Sequence, residues 1–432
     1  MSTLNRRQFL KASAGLAAVS AVGMPYLSHA DSKGGHVVII GGGAGGTIVA
    51  KYLRKADPSI QVTLVEKNAD YYTCFMSNEV LGGDRTIDSL KFGYDALAKQ
   101  GVEIVTEEAT AIDPTAKTVT TSGGKTLKYD RLVVSPGISL VYEGIEGYSK
   151  EVAEKIPHAW KAGAQTTLLR GQLEAMKDGG VVIVTSPPNP YRCPPGPYER
   201  VSQIAHYLKK HKPKSKVLLL DAKDSFPKQG LFIQGWTKLY GYGTDKSLIQ
   251  WLPAAEQGKV VRVDASDMSV YAGDLEDKHT ADVINVIPPQ KAGKIAIDSG
   301  LTDATGWCPV DKRTFESTLH KDVYVIGDAA ITEMPKSAYS ANSQAKVCVA
   351  AIVTSLQGKE MIEPSYVNTC YSIVGEDYGI SVAAIFKYKE GALASVEGAG
   401  GVTPSDASAD HLRREVLYAH SWFKNITVDM FS

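Results

Sequence analysis

The chain has 432 residues, 44% of them hydrophobic and 22% charged, which is ordinary globular composition and allows two or three domains. Its 47 basic and 47 acidic residues balance. Without the first 30 residues the count is 44 against 47, a net −3, which gives no electrostatic reason to expect nucleic-acid binding.

Residues 1–30 read as an address. Arg6-Arg7-Gln8-Phe9-Leu10-Lys11 precedes a small apolar run, Leu16 to Met24, and Ser28-His29-Ala30 is a small-x-small cleavage site. The paired arginines resemble a twin-arginine signal and predict export of an already folded protein to the periplasm. No later run reaches the ~20 apolar residues of a spanning helix, so no transmembrane segment is expected after signal removal.

His36-Val37-Val38-Ile39-Ile40 predicts a strand, and Thr47 to Lys55 predicts a helix. Between them Gly41, Gly43 and Gly46 stand in G-x-G-x-x-G register. A second strand, Gln61 to Val65, ends at Glu66. Strand, glycine turn, helix and a following acid make a complete dinucleotide fingerprint, with Glu66 placed for the adenosine ribose. Tyr129 to Gly137 is a further strand ending in a tight turn, and Val323 to Ala329 is another, with an acid at its C-terminal end. They resemble the paired signatures of two-domain flavoprotein reductases, which implies that Gly327 and Asp328 contact the ribityl and phosphate region of FAD.

Val181 to Thr185, the helix Pro197 to Lys210 and the strand Lys216 to Asp221 form a second βαβ unit. Its turn, Ser186 to Gly196, contains five prolines where a nicotinamide site needs glycines. Proline has no N–H to offer a pyrophosphate, so this site is not expected to bind NAD(P)H. Cys193 lies in that turn beside Arg192 and just before a helix, a setting that favours thiolate. Glu199 lies one turn on and is a candidate proton shuttle.

The five cysteines are Cys74, Cys193, Cys308, Cys348 and Cys370. Their contexts include Tyr71-Tyr72-Thr73-Cys74, Arg192-Cys193-Pro194-Pro195-Gly196-Pro197, Trp307-Cys308-Pro309 and Asn368-Thr369-Cys370. From about residue 35 onward these stretches resemble the flavoprotein subunit of the flavocytochrome c sulfide dehydrogenases. The resemblance implies FAD bound covalently through Cys74, and a redox-active disulfide between Cys193 and Cys370. It also implies sulfide as electron donor and a c-type cytochrome subunit as acceptor. In that scheme hydrosulfide opens the disulfide to a persulfide and a thiolate, and the thiolate passes two electrons to the flavin. The chain has no Cys-x-x-Cys-His, so haem is expected on another polypeptide. Cys308 and Cys348 read as packing residues, and the histidines show no metal spacing.

The expected fold is α/β: an FAD-binding Rossmann-like domain (31–145 and 290–361), an inserted second Rossmann-like domain with a degenerate NAD site (146–289), and a C-terminal α+β region (362–432) over the flavin. A helix from about Ser343 to Leu356 is expected, opened by Tyr339, Ser340 and Gln344. An amphipathic tail, His411 to Phe423, carries Trp422 as a candidate contact between flavin and partner. The rival readings are a sulfide:quinone oxidoreductase, which shares the fold and the disulfide chemistry, and a non-catalytic electron-transfer flavoprotein, which does not need the cysteine pair.

Overall fold

The computed structural model describes residues 34–432; the export signal expected at residues 1–30 lies outside them. Four of the five strands of the main sheet come first: β1 (His36–Ile40), β2 (Gln61–Val65), β3 (Val102–Val105) and β4 (Arg131–Val134). Helix α1 (Gly46–Ala56) crosses between β1 and β2, and the short α2 (Ser77–Gly82) follows. β1 and β2 bury four of their five residues, and β4 buries three of four. Such nearly unbroken apolar runs belong to a parallel sheet covered on both faces.

The chain then builds a second parallel sheet. Its strands are β5 (Val181–Ser186), β6 (Lys216–Asp221), β7 (Ile249–Leu252) and β8 (Val283–Asn285), in the order β7-β6-β5-β8. Helices α3 (Gly196–His211) and α4 (Gln229–Tyr240) accompany it. Short strands Ile138–Leu140 and Gln290–Ala292 pair antiparallel on either side of this unit. β9 (Val323–Val325) then returns to the first sheet, completing the order β9-β4-β1-β2-β3, all parallel.

Helix α5 (Ala338–Leu356) follows, starting five residues before the sequence signal at Ser343. The reason is local: Ser337 caps it, accepting from the Ser340 N–H at 3.0 Å. The C-terminal region is a meander of three antiparallel strands, β10 (Ser365–Gly375), β11 (Tyr378–Lys389) and β12 (Ala392–Val402). Helix α6 (Ala409–Phe431) packs on it and runs eight residues past the expected end at Phe423. Its far end is held by tertiary bonds: Asp429 accepts from Tyr52, Asn342 and Lys346, and Lys51 donates to the Val428 and Asp429 carbonyls. Among the described residues no helix is long and apolar enough to cross a membrane.

Candidate functional site

The glycine turn has the close approaches that a dinucleotide cradle requires. Gly41 sits at φ +100°, and a Cβ there would lie 2.3 Å from the Ser135 carbonyl oxygen. A Cβ on Gly46 would lie 1.9 Å from the Gly41 carbonyl oxygen. On Gly43 a Cβ would meet only the Tyr71 ring, at 3.5 Å, so this face is open to a ligand. Glu66 is fixed across the turn, accepting from the Gly42 N–H at 2.9 Å and from Asn68. Gly327 donates its N–H to Gln344 Oε1 at 2.8 Å, which ties the β9 turn to α5. The buried Thr73 hydroxyl and Trp160 indole N–H have no partner within the chain, and each borders a cysteine segment. Open glycine backbone, an acid at the end of the second strand and orphaned donors beside it fit FAD.

Asp328, Cys193 and Cys370 converge through a short chain of bonds. Lys336 Nζ donates to the Asp328 carbonyl at 2.6 Å, and the Lys336 carbonyl accepts from the Cys193 N–H at 2.8 Å. The next residue, Ser337, donates to Asn368 Oδ1 at 2.7 Å, and Asn368 Nδ2 reaches the Cys370 sulfur at 3.8 Å. From the other side, Glu199 on α3 accepts from the Ile373 N–H of β10 at 2.8 Å and from Asn78 Nδ2 of α2 at 2.9 Å. Cys193, Cys370 and Cys74 lie close enough for their charges to interact. All five cysteines are free thiols in this structure; Cys308 and Cys348 are fully buried.

The electrostatics correct one expectation. Cys193 does precede α3, at φ +58°, a conformation rare for a side-chain-bearing residue. Its thiol is nonetheless pushed well up, first by burial, then by the carboxyl of Glu199 and by Cys370 and Cys74. Arg192 pulls the other way but more weakly, and its guanidinium is engaged by the Trp160 carbonyl. The helix end itself is close, since Gly196, the first helical residue, donates its N–H to the Cys193 carbonyl at 2.8 Å and a Cβ on Gly196 would lie 3.0 Å from the Cys193 sulfur. Burial raises the carboxyl of Glu199 as well, against its two hydrogen bonds, and keeps it protonatable. Asp328 is raised by burial, with Arg192 and Lys336 opposing.

Two residues escaped the sequence. Lys228, just ahead of α4, donates to Ser372 Oγ at 2.9 Å and to the Cys370 carbonyl at 3.4 Å. A lysine 142 positions from its cysteine leaves no sequence signal. Arg200 is 2% exposed and donates to Asn78, Asn285 and the carbonyls of His158 and Ala159. It thereby fixes the Asn78 amide that orients Glu199. Arg200→Leu leaves those acceptors buried and unpaired, and is expected to cost about 3–5 kcal/mol in chemical denaturation. A loss under about 1 kcal/mol would show that the clamp is not structural.

The acid at the end of β6 is shut away. Asp221 is fully buried and accepts from Tyr198 at 2.6 Å, Lys223 at 2.6 Å and Trp251 at 3.2 Å. Lys223 also donates to Ser186 and the Pro187 carbonyl, closing the proline turn from inside.

Trp422, on α6, packs against Phe75 at 5.4 Å and stacks near Tyr339 at 6.5 Å, so an aromatic path leads away from the Cys74 segment. Its outer side borders a groove with Tyr371, Tyr418 and Lys346.

Comparison with known families places residues 35–173 with the pyridine nucleotide-disulphide oxidoreductases. Residues 166–288 match the central part, and 362–431 the flavin-binding part, of the flavocytochrome c sulphide dehydrogenase flavoprotein chain. Residues 3–23 match a twin-arginine translocation signal. A flavoprotein chain of sulfide dehydrogenase (flavocytochrome c) from Chlorobaculum thiosulfatiphilum is 61% identical over 44 residues, 10% of this chain and 92% of that sequence. The mitochondrial sulfide:quinone oxidoreductase of Dictyostelium discoideum is 27% identical over 82% of this chain and 77% of its own length. The solved sulfide:quinone oxidoreductase of Aquifex aeolicus shares the fold, with a TM-score of 0.69 at 20% identity over 91% of this chain and 92% of that one.

Proposed function

The chain belongs to the flavoprotein-chain family of the flavocytochrome c sulfide dehydrogenases, sulfide-oxidising flavoprotein oxidoreductases, and carries a twin-arginine export signal; from that premise we propose that it oxidises sulfide in the periplasm through a Cys193–Cys370 disulfide and FAD and delivers electrons to a c-type cytochrome subunit. The observation that carries the reading is the meeting of two cysteines 177 positions apart, with Glu199 between their elements and the glycine cradle beside them.

Hydrosulfide attacks one sulfur of the pair; the old S–S bond breaks, a persulfide forms and the other sulfur leaves as thiolate. Glu199, raised by burial, takes the proton when the incoming species is H2S. Lys336 and Asn368 hold the two cysteine segments together during the exchange. FAD, when bound, supplies a two-electron acceptor able to release electrons singly. Gly41, Gly43, Gly46, Glu66, Gly327 and Asp328 would hold it, and Cys74 would attach it through a thioether. The aromatic path through Phe75 to Trp422 would face the cytochrome. This reading divides the chain into an FAD domain (31–145 and 290–361), an inserted domain (146–289) and a covering region (362–432).

A quinone acceptor is the second reading, since the relatives matched over most of the chain are sulfide:quinone oxidoreductases. To decide, holoenzyme reduced anaerobically with sulfide is mixed with a soluble c-type cytochrome or with a short-chain quinone. Faster reoxidation by the cytochrome is expected; faster reoxidation by the quinone overturns the assignment. Covalent attachment has its own check. Acid-denatured protein should keep its yellow colour in the pellet, and Cys74→Ser should release the flavin. Release from the unaltered protein refutes the thioether.

A further inference from the structure

We propose that Gln203 is a positioning residue for the sulfide reaction: together with Glu199 it locks the Ile373 backbone of β10 onto α3 and so sets the separation at which Cys370 meets Cys193. The inference rests on the disulfide reading above and deepens it by naming what holds the two cysteine segments in place.

β10 is the outer strand of its meander, with β11 on one side only, so the backbone groups of its other edge have no strand to pair with. At Ile373 two side chains of α3 take the place of that strand. The Ile373 N–H donates to Glu199 Oε1 at 2.8 Å, and the Ile373 carbonyl accepts from Gln203 Nε2 at 2.7 Å. Residues 199 and 203 are four apart, so they share one face of the helix, about 6 Å from each other along its axis. Held by both its N–H and its carbonyl, Ile373 is free neither to slide along the helix nor to tilt away from it. Cys193 is fixed to the start of the same helix, its carbonyl accepting from the Gly196 N–H at 2.8 Å. Cys370 lies three residues before Ile373 on the gripped strand. One helix therefore holds one sulfur at its start and, through Glu199 and Gln203, the strand that carries the other.

Gln203 is itself closely seated, at 1% exposure. The Ile373 carbonyl accepts only a donor, so the amide nitrogen faces β10 and the amide oxygen points elsewhere. That oxygen has no hydrogen-bond partner among the described residues. It lies against Gly82, the last residue of α2, where a Cβ would come within 2.4 Å of it. A buried acceptor left unpaired is costly, and a methionine of similar length would avoid that cost; what the amide adds is the bond to Ile373. The bond bears on the chemistry because disulfide geometry is narrow. The Cα atoms must lie within about 7 Å, and a pair forced away from its preferred geometry is strained and more readily reduced. Misplacing reacting atoms by about 1 Å is enough to cost roughly a hundredfold in rate.

The test compares unaltered holoenzyme with Gln203→Met, which removes the donor, and Gly82→Ala, which pushes the Gln203 amide from behind. Each is equilibrated anaerobically in mixtures of reduced and oxidised dithiothreitol. Free thiols are trapped with N-ethylmaleimide in denaturant, and Cys193 and Cys370 are quantified by peptide mass spectrometry. In the unaltered protein both should be trapped only after dithiothreitol; trapping of both in untreated protein would refute the disulfide, and this inference with it. Given the disulfide, Gln203→Met should shift its exchange with dithiothreitol toward the dithiol about tenfold or more, which is about 30 mV in potential. Flavin bleaching by sodium sulfide should slow roughly tenfold, while FAD content and dithionite bleaching stay unchanged. Gly82→Ala should shift the exchange in the same direction, and the double variant should be no worse than Gln203→Met alone, since both act through one bond. A lowered unfolding midpoint in Gln203→Met with an unmoved exchange equilibrium would show a structural role only and overturns the proposal. Full additivity of the two replacements overturns it as well. If Gln203→Met does not fold, the exchange equilibrium of Gly82→Ala decides alone, by the same criterion.

Discussion

Cys193→Ser and Cys370→Ser proteins are expected to bind FAD and to be bleached by dithionite, yet to lose sulfide-driven reduction by roughly a thousandfold or more. Sulfide needs an electrophilic sulfur, and each serine removes the S–S bond that provides it. Neither replacement touches the glycine cradle, so cofactor binding should survive. Cys308→Ser and Cys348→Ser are the controls. Both thiols are fully buried and lie outside the Cys193–Glu199–Cys370 cluster. They should cost about 1–3 kcal/mol of stability, from burying a hydroxyl, and leave the sulfide reaction intact. Stopped-flow flavin bleaching separates the cases. Rapid sulfide bleaching in Cys370→Ser, or its loss in Cys308→Ser, would assign the chemistry to other sulfurs.

NADH and NADPH are expected to reduce the flavin at least about a hundredfold more slowly than sulfide at equal concentration under anaerobic conditions. The proline turn cannot present the row of N–H groups that a pyrophosphate needs. The acid a ribose would use is also engaged: Asp221 has Tyr198, Trp251 and Lys223 as partners, and Tyr198 is stacked on Phe226 at 3.6 Å between centroids. Opening the site would require breaking these buried bonds, so the barrier lies in the packing as well as in the turn. Fast bleaching by micromolar NADH would contradict this account of the second sheet.

The first βαβ unit was legible in the sequence because its signals are local. The strand His36–Ile40, the glycines at 41, 43 and 46 and the acid at 66 each act through backbone sterics and N–H geometry within 31 residues. The proline turn was legible for the same reason, since a missing N–H is a property of the residue itself. Helix ends were less so: α5 starts at a serine cap that the periodicity does not register, and α6 is extended by bonds to α1 and α5. The cysteine motifs pointed to a family, but nothing local ranked their acidities. Helix proximity and Arg192 favoured Cys193, whereas in the folded protein burial and the neighbouring Glu199 oppose it, and Lys228 reaches the Cys370 segment from 142 positions away. Burial and Coulomb interactions depend on distance in space, which only the tertiary structure sets. The sequence by itself determined which groups can carry chemistry, and the tertiary structure decided which of them meet and how burial and neighbouring charges bear on each sulfur.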